Sequence, residues 1–183
     1  MLPGLMQQTP LLISSILRYA ATAHGAREVV SREIEEPIWR YDYARLALRA
    51  EQAAEALKAL GIRSGDRVSS LAWNTHRHLE LFFAAPGMGA VLHTANPRLF
   101  DEQLIYTINH AESRVLLFEK NLLAQVERIA PHLKTIEHYV MLSREAVAVP
   151  GAVGALCYET LLAAQPPGLE WPSFDENAAA FLC

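Results

Sequence analysis

The residues best suited to hold a ligand are Asn96-Pro97-Arg98-Leu99. They follow a segment that reads as a β-strand, and open α/β sheets bind ligands in the loops at the carboxyl ends of their strands. Pro97 holds Asn96 extended. The guanidinium of Arg98 is a forked donor matched to phosphate or carboxylate. A structural loop accounts for the same residues and, on the residues alone, is the simpler reading.

Other chemistry is less well served. His76 and His78 stand two apart at a helix start, so they point to different sides and read as surface histidines instead of a shared metal site. His93 lies in the next strand. Ser69 and Ser70 sit in a strand without the Gly-x-Ser-x-Gly elbow that would expose a nucleophile. Gly87-Met88-Gly89 closes a helix where a dinucleotide fingerprint would open one, and reads as a helix stop with close packing. There is no Gly-x-x-x-x-Gly-Lys-Ser/Thr. Asp101-Glu102 reads as an acidic helix start, and Asp175-Glu176 as the polar approach to a last strand. These residues name no metal ligand and no catalytic group.

The elements that must position the 96–99 loop follow from periodicity. Leu12, Ile13, Ile16, Leu17 and Ala20 recur at helical spacing and stop at His24-Gly25. Residues 28–31 and 38–41 read as two short strands joined through Glu35-Glu36-Pro37. Asp42 is placed to cap a helix with the stripe Leu46, Ala50, Ala53, Leu57 and Leu60, which Gly61 ends. Strands then alternate with helices: strands at 67–73, 90–94, 114–119 and 136–142, and helices at 76–85, 101–110 and 121–132, with Asp101 and Asn121 as caps. Alternation of this kind implies βαβ units and an α/β fold with a mostly parallel sheet flanked by helices. A loop at 147–154, a short helix at 158–165 and a Pro-rich linker lead to a final apolar strand, residues 178–183.

Composition narrows the function classes. Of 183 residues 51% are hydrophobic and 20% charged, as in globular domains, and the net charge of −4 offers no basic face for nucleic acid. The apolar run 11–17 is too short for a membrane span and lacks the basic start of a signal peptide. Cys157 and Cys183, in apolar surroundings without a Cys-x-x-Cys pair, read as two buried reduced thiols. Together these features point to a cytoplasmic protein.

The residues also carry a resemblance. Residues 56–68, Ala56-Leu57-Lys58-Ala59-Leu60-Gly61-Ile62-Arg63-Ser64-Gly65-Asp66-Arg67-Val68, and the preceding Tyr41-Asp42-Tyr43-Ala44-Arg45-Leu46 resemble early motifs of the adenylate-forming superfamily, which includes acyl-CoA synthetases, luciferases and peptide-synthetase adenylation domains. The run Pro86-Gly87-Met88-Gly89-Ala90-Val91-Leu92-His93-Thr94-Ala95-Asn96-Pro97-Arg98-Leu99 resembles bacterial medium- and long-chain fatty-acyl-CoA synthetases, as do Asn109-His110-Ala111-Glu112 and Asp175-Glu176-Asn177-Ala178-Ala179. The resemblance runs from about Leu11 to Cys183.

This resemblance implies an AMP-forming ligase that activates a fatty acid with ATP and Mg2+ and passes the acyl group to CoA. It implies that the loop holding Asn96 and Arg98 lies on the CoA side. It also implies that the chain, residues 1–183, is an incomplete N-terminal AMP-binding-type domain, inactive alone, stopping before the Tyr-Thr-Ser-Gly phosphate loop. Its parts would be a helix-hairpin-helix lead-in (11–60), βαβ units (66–142), a loop, short helix and linker (143–174) and the start of a core strand (175–183). Relatives of this kind are often homodimers, and any membrane contact would be peripheral. A non-catalytic α/β binding or interaction domain derived from such a ligase is the alternative.

Overall fold

The structure, a computed structural model, describes residues 4–34, 38–144, 154–166 and 168–183. The connection expected at Glu35-Glu36-Pro37, residues 147–153 of the loop expected at 147–154, and Pro167 lie outside the described residues. Helix α1 (Ile13–His24) leads into an antiparallel hairpin of β1 (Glu28–Ser31) and β2 (Trp39–Asp42), then helix α2 (Tyr43–Ala59). Asp42 caps α2 as its chemistry predicts, its Oδ1 accepting from the Arg45 N–H at 2.8 Å. Leu46, Ala50, Ala53 and Leu57 are buried along one face. Each fully buried leucine contributes about 2 kcal/mol. Gly61 ends the run in the left-handed region, φ +84°.

The second part alternates β3 (Arg67–Leu71), α3 (His76–Gly87), β4 (Val91–Ala95), α4 (Asp101–His110), β5 (Val115–Glu119), α5 (Leu123–Ile129) and β6 (His138–Leu142). It finishes with β7 (Ala155–Cys157), α6 (Tyr158–Ala163) and β8 (Phe181–Leu182). These six strands form one parallel sheet in the order β7-β6-β5-β3-β4-β8. Val68, Leu92, Val115, Leu117 and Val140 pack on one face against α2, α3 and α6. Leu71, Ala95, Leu116, Phe118 and Met141 pack on the other against α4 and α5. The chain therefore leaves β3 toward one face and its neighbour β4 toward the opposite face. That reversal opens a crevice between their carboxyl ends.

Gly87 and Gly89 do what close packing requires. A Cβ on Gly87 would lie 2.5 Å from the Trp171 ring, and Gly89 turns the chain at φ +87° against Ser64.

Several expectations are corrected. Within residues 178–183, Phe181 and Leu182 pair with β4, and Phe181 packs partly buried against the core. Cys183 is exposed, with Thr94 Oγ1 donating to its sulfur at 3.7 Å, whereas Cys157 is buried as expected; both thiols are free. Asn121 caps no helix: a 3-10 turn, Lys120–Leu122, precedes α5, and the Asn121 Oδ1 accepts from the Trp73 indole N–H at 3.4 Å. Asp101 is the first residue inside α4 and pairs with Arg128 at 2.8 Å instead of capping. Strand β7 was not anticipated, because three residues carry no readable alternation.

Candidate functional site

The loop from Asn96 to Phe100 leaves β4 at the crevice, beside the loop Ala72–Thr75 that leaves β3. Asn96 and Arg98 are both exposed. The Arg98 backbone N–H donates to Asn96 Oδ1 at 3.0 Å, so the asparagine side chain shapes the turn and the guanidinium projects from it. The structure thus brings the two predicted residues together at a carboxyl-end edge. Phe100, largely exposed, continues the same loop.

The same end of the sheet holds a charged cluster that the sequence reading missed. Arg49, in α2 and 6% exposed, faces Glu80 of α3, which is wholly buried. Its Nε donates to Glu80 Oε1 at 2.6 Å and its Nη2 to Oε2 at 3.2 Å. Nη1 and Nη2 also donate to Glu159 of α6 at 3.0 and 2.9 Å. Arg77 donates to Glu159 Oε1 at 2.9 Å and to the Leu142 carbonyl at 3.2 Å, tying α3 to α6 and to the end of β6. The Tyr158 hydroxyl donates to Glu80 at 2.9 Å. Buried charges persist only when paired and hydrogen-bonded in this way.

His76 is not a surface histidine. It is 1% exposed, with its Nδ1 2.8 Å from Glu33 and its Nε2 3.9 Å from Glu159. The Trp39 indole stacks on it at 4.5 Å, and the Arg144 guanidinium lies over the Trp39 ring, 4.3 Å from its centroid. Burial disfavours the charged imidazolium, yet Glu159 and Glu33 overcome that and raise its pKa. Burial likewise opposes ionisation of Glu33, but hydrogen bonds from His76 and Ser31 hold its pKa down at about 2. Glu159 is held well below the usual carboxylate range against its burial, by His76 and Arg49. Burial pushes the Glu80 carboxyl up, with Arg49 pulling the other way. At the end of β5, burial pushes Glu119 up to about 7 although Thr75 donates to it at 2.9 Å.

His78 and His93 do not join this cluster. His78 Nε2 meets Ser70 Oγ at 3.1 Å, and burial lowers its pKa. On the opposite sheet face Ser69 Oγ lies 2.7 Å from His93 Nδ1 and donates to Ser113 Oγ at 2.7 Å. This buried chain joins β3, β4 and the segment just before β5, and presents no nucleophile to solvent. Among the described residues no group of three or more His, Cys, Asp or Glu side chains is placed to hold a metal ion. No helix among them is long and apolar enough to cross a membrane.

One signal for the cluster was present. Arg49 adjoins Ala50 on the apolar stripe of α2, and Glu80 stands between Leu79 and Leu81. Charges at core positions announce a buried partner but not which one.

Comparison with known proteins accords with this architecture. The chain is 43% identical over 181 residues to a 3-methylmercaptopropionyl-CoA ligase of Ruegeria lacuscaerulensis, covering 98% of this chain and 34% of that protein. It is 39% identical to a medium-chain-fatty-acid–CoA ligase of Ectopseudomonas oleovorans, covering 98% and 33% respectively. It therefore spans about a third of the length of the curated relatives it matches. In fold it matches an anthranilate CoA ligase solved with anthranoyl-AMP, with a TM-score of 0.82 at 20% identity, over 96% of this chain and 32% of that one. The family model for the AMP-binding enzyme matches residues 17–180. By that match and this architecture, the chain belongs to the family of AMP-binding enzymes.

Proposed function

We propose that this chain is the N-terminal part of an AMP-forming ligase that joins a fatty acid to CoA. In that reaction a carboxylate oxygen attacks the α-phosphorus of ATP and pyrophosphate leaves. The thiol of CoA then attacks the acyl carbon, AMP leaves with the bonding electrons, and the thiol proton is released. The first step is needed because oxide is a far poorer leaving group than AMP. The observation that carries this reading is the 43% identity, across 98% of the chain, to a protein named as a CoA ligase. A homodimer in the cytoplasm is part of the same proposal.

ATP, CoA and the acid are substrates in this reading. Mg2+ would enter with ATP, held largely by its phosphates. Arg98 and Asn96 are the residues of this chain proposed to meet CoA. Support comes from their exposed position at the crevice between β3 and β4 and from the fit of a guanidinium to phosphate.

A chimera tests the reading. This chain replaces the matching segment of the Ectopseudomonas oleovorans ligase, and acyl-CoA formation is measured. Retention of at least about a tenth of the rate is expected. A folded chimera unable to form the adenylate overturns the proposal in favour of a non-catalytic interaction domain. Within the active chimera, Arg98→Ala is expected to raise the KM for CoA about tenfold, the loss of one charge-assisted hydrogen bond. ATP–pyrophosphate exchange should be unchanged. An unaltered KM removes Arg98 from the CoA side. The 183-residue chain alone is expected to show no exchange.

A further inference from the structure

A cavity of about 320 Å³ lies between strand β1 and the start of α3. Val29, Val30 and Ser31 form one side, and residues 74–76, His78, Leu79 and Phe82 form the other. Val30 and Phe82, 52% and 40% exposed, stand at its rim. The Phe82 ring is fixed there by stacking on Phe181 of β8 at 4.2 Å and by an edge contact with the His78 ring.

The polar side chains of this lining are committed elsewhere. Ser31 Oγ donates to Glu33 at 2.6 Å, and Thr75 Oγ1 donates to Glu119 at 2.9 Å. His76 Nδ1 turns to Glu33 at 2.8 Å, and its buried Nε2 lies on the side of Glu159. The His78 ring has its partners in Ser70 Oγ, at 3.1 Å, and the Trp73 backbone. Asn74 is the exception: it is exposed in the loop leaving β3, and its side-chain amide has no partner among the described residues. A charge or an unmatched polar group inside such a wall would be desolvated without compensation. The interior therefore accepts carbon, and a polar head must stay at the mouth with Asn74.

We propose that this cavity receives the aliphatic chain of a carboxylic acid, its tail between β1 and α3 and its carboxylate accepting from the Asn74 amide. The volume falls at the small end of ligand pockets, with room for about ten groups of roughly 30 Å³ each. Asn74 follows β3 at the carboxyl end of the sheet, on the crevice from which the Asn96–Arg98 loop also leaves. The acid is then the one the ligase activates, a step that rests on the function proposed above, and Val30 and Phe82 limit the length of chain it takes.

The test begins with the chain itself. Hexanoate, octanoate, decanoate and dodecanoate are titrated into it below their micelle-forming concentrations, and the methyl NMR signals of Val29, Val30 and Leu79 are followed. Affinity is expected to rise about fourfold per added methylene and to level off beyond decanoate. Val30→Trp, which fills the cavity from an exposed position, is expected to weaken decanoate at least about tenfold. Asn74→Ala is expected to weaken decanoate about tenfold and to leave decanol unchanged. Decanoate that moves none of these signals, or that binds Val30→Trp as it binds the parent, overturns the site. Decanoate indifferent to Asn74→Ala overturns the placing of the head group. In the active chimera, Val30→Trp is expected to lower kcat/KM for decanoate about tenfold relative to that for butyrate. An equal loss for both acids overturns the proposal and marks the cavity as the seat of another segment of the protein. A chimera that forms no adenylate strikes the ligase reading alone, and the titration of the chain then decides the cavity.

Discussion

Removing the guanidinium of Arg49 is the sharpest perturbation of the charged cluster. Arg49→Met keeps the length of the side chain and its packing in α2 but deletes four hydrogen bonds, two to Glu80 and two to Glu159. Glu159 retains Arg77 at 2.9 Å. Glu80, fully buried, is left with the Tyr158 hydroxyl as its hydrogen-bond donor in this set. Breaking a buried pair from one side costs about 3–5 kcal/mol, because the surviving charge is desolvated without compensation. With a urea slope of about 2 kcal/mol per molar, the midpoint should fall by about 2 M. The deficit should shrink at lower pH. An unpaired buried Glu80 has a folded pKa above its unfolded value, so the folded variant binds the extra proton and gains relative stability as pH drops. Replacing both partners, Arg49→Met with Glu80→Leu, should recover all but about 1 kcal/mol, since no charge is stranded. The assay is urea unfolding followed by far-UV circular dichroism at pH 7.5 and 5.5. A single variant within 1 kcal/mol of the parent, or a double variant whose loss equals the sum of its singles, refutes the reasoning.

Two pH effects follow from the same cluster. Glu33, with its folded pKa held at about 2, contributes stability that is complete above pH 4.5 and is lost as pH falls from 4.5 toward 2. Glu33→Gln should flatten that limb of an acid-unfolding profile by about 2 kcal/mol, after allowance for solvent screening. Glu119 acts in the opposite sense. Its folded pKa of about 7 means that the folded state holds a proton the unfolded state has released, so stability declines between pH 4.5 and 7. Glu119→Gln, which keeps an acceptor for Thr75, should remove that decline and leave the variant more stable than the parent at pH 8 in thermal melts.

The parts of the fold legible in the sequence are those with local signals. Asp42 before the Leu46–Ala50–Ala53–Leu57 stripe marked α2, and Gly61 marked its end, because capping and left-handed termination act within a few residues. The β–α alternation from Arg67 to Leu142 announced the parallel sheet. The Asn96–Arg98 loop was placed correctly at a carboxyl strand end for the same reason. The charged cluster was not visible, since Arg49 meets Glu80 31 residues away and Glu159 110 residues away. No periodicity pairs residues across such separations. The histidine at 76 shows the cost: polar neighbours at a helix start look like surface until tertiary packing buries them.

The pairing of β4 with β8 has a consequence for how the molecule is made. Leu92 pairs with Phe181 and His93 with Leu182, partners 89 residues apart in the chain. A ribosome adding about 5–20 residues per second delivers β4 roughly 4–18 s before its second neighbour exists. For that interval the nascent sheet carries an open flank of backbone donors and acceptors, and holding it away from other growing chains becomes a task for the cell's folding helpers.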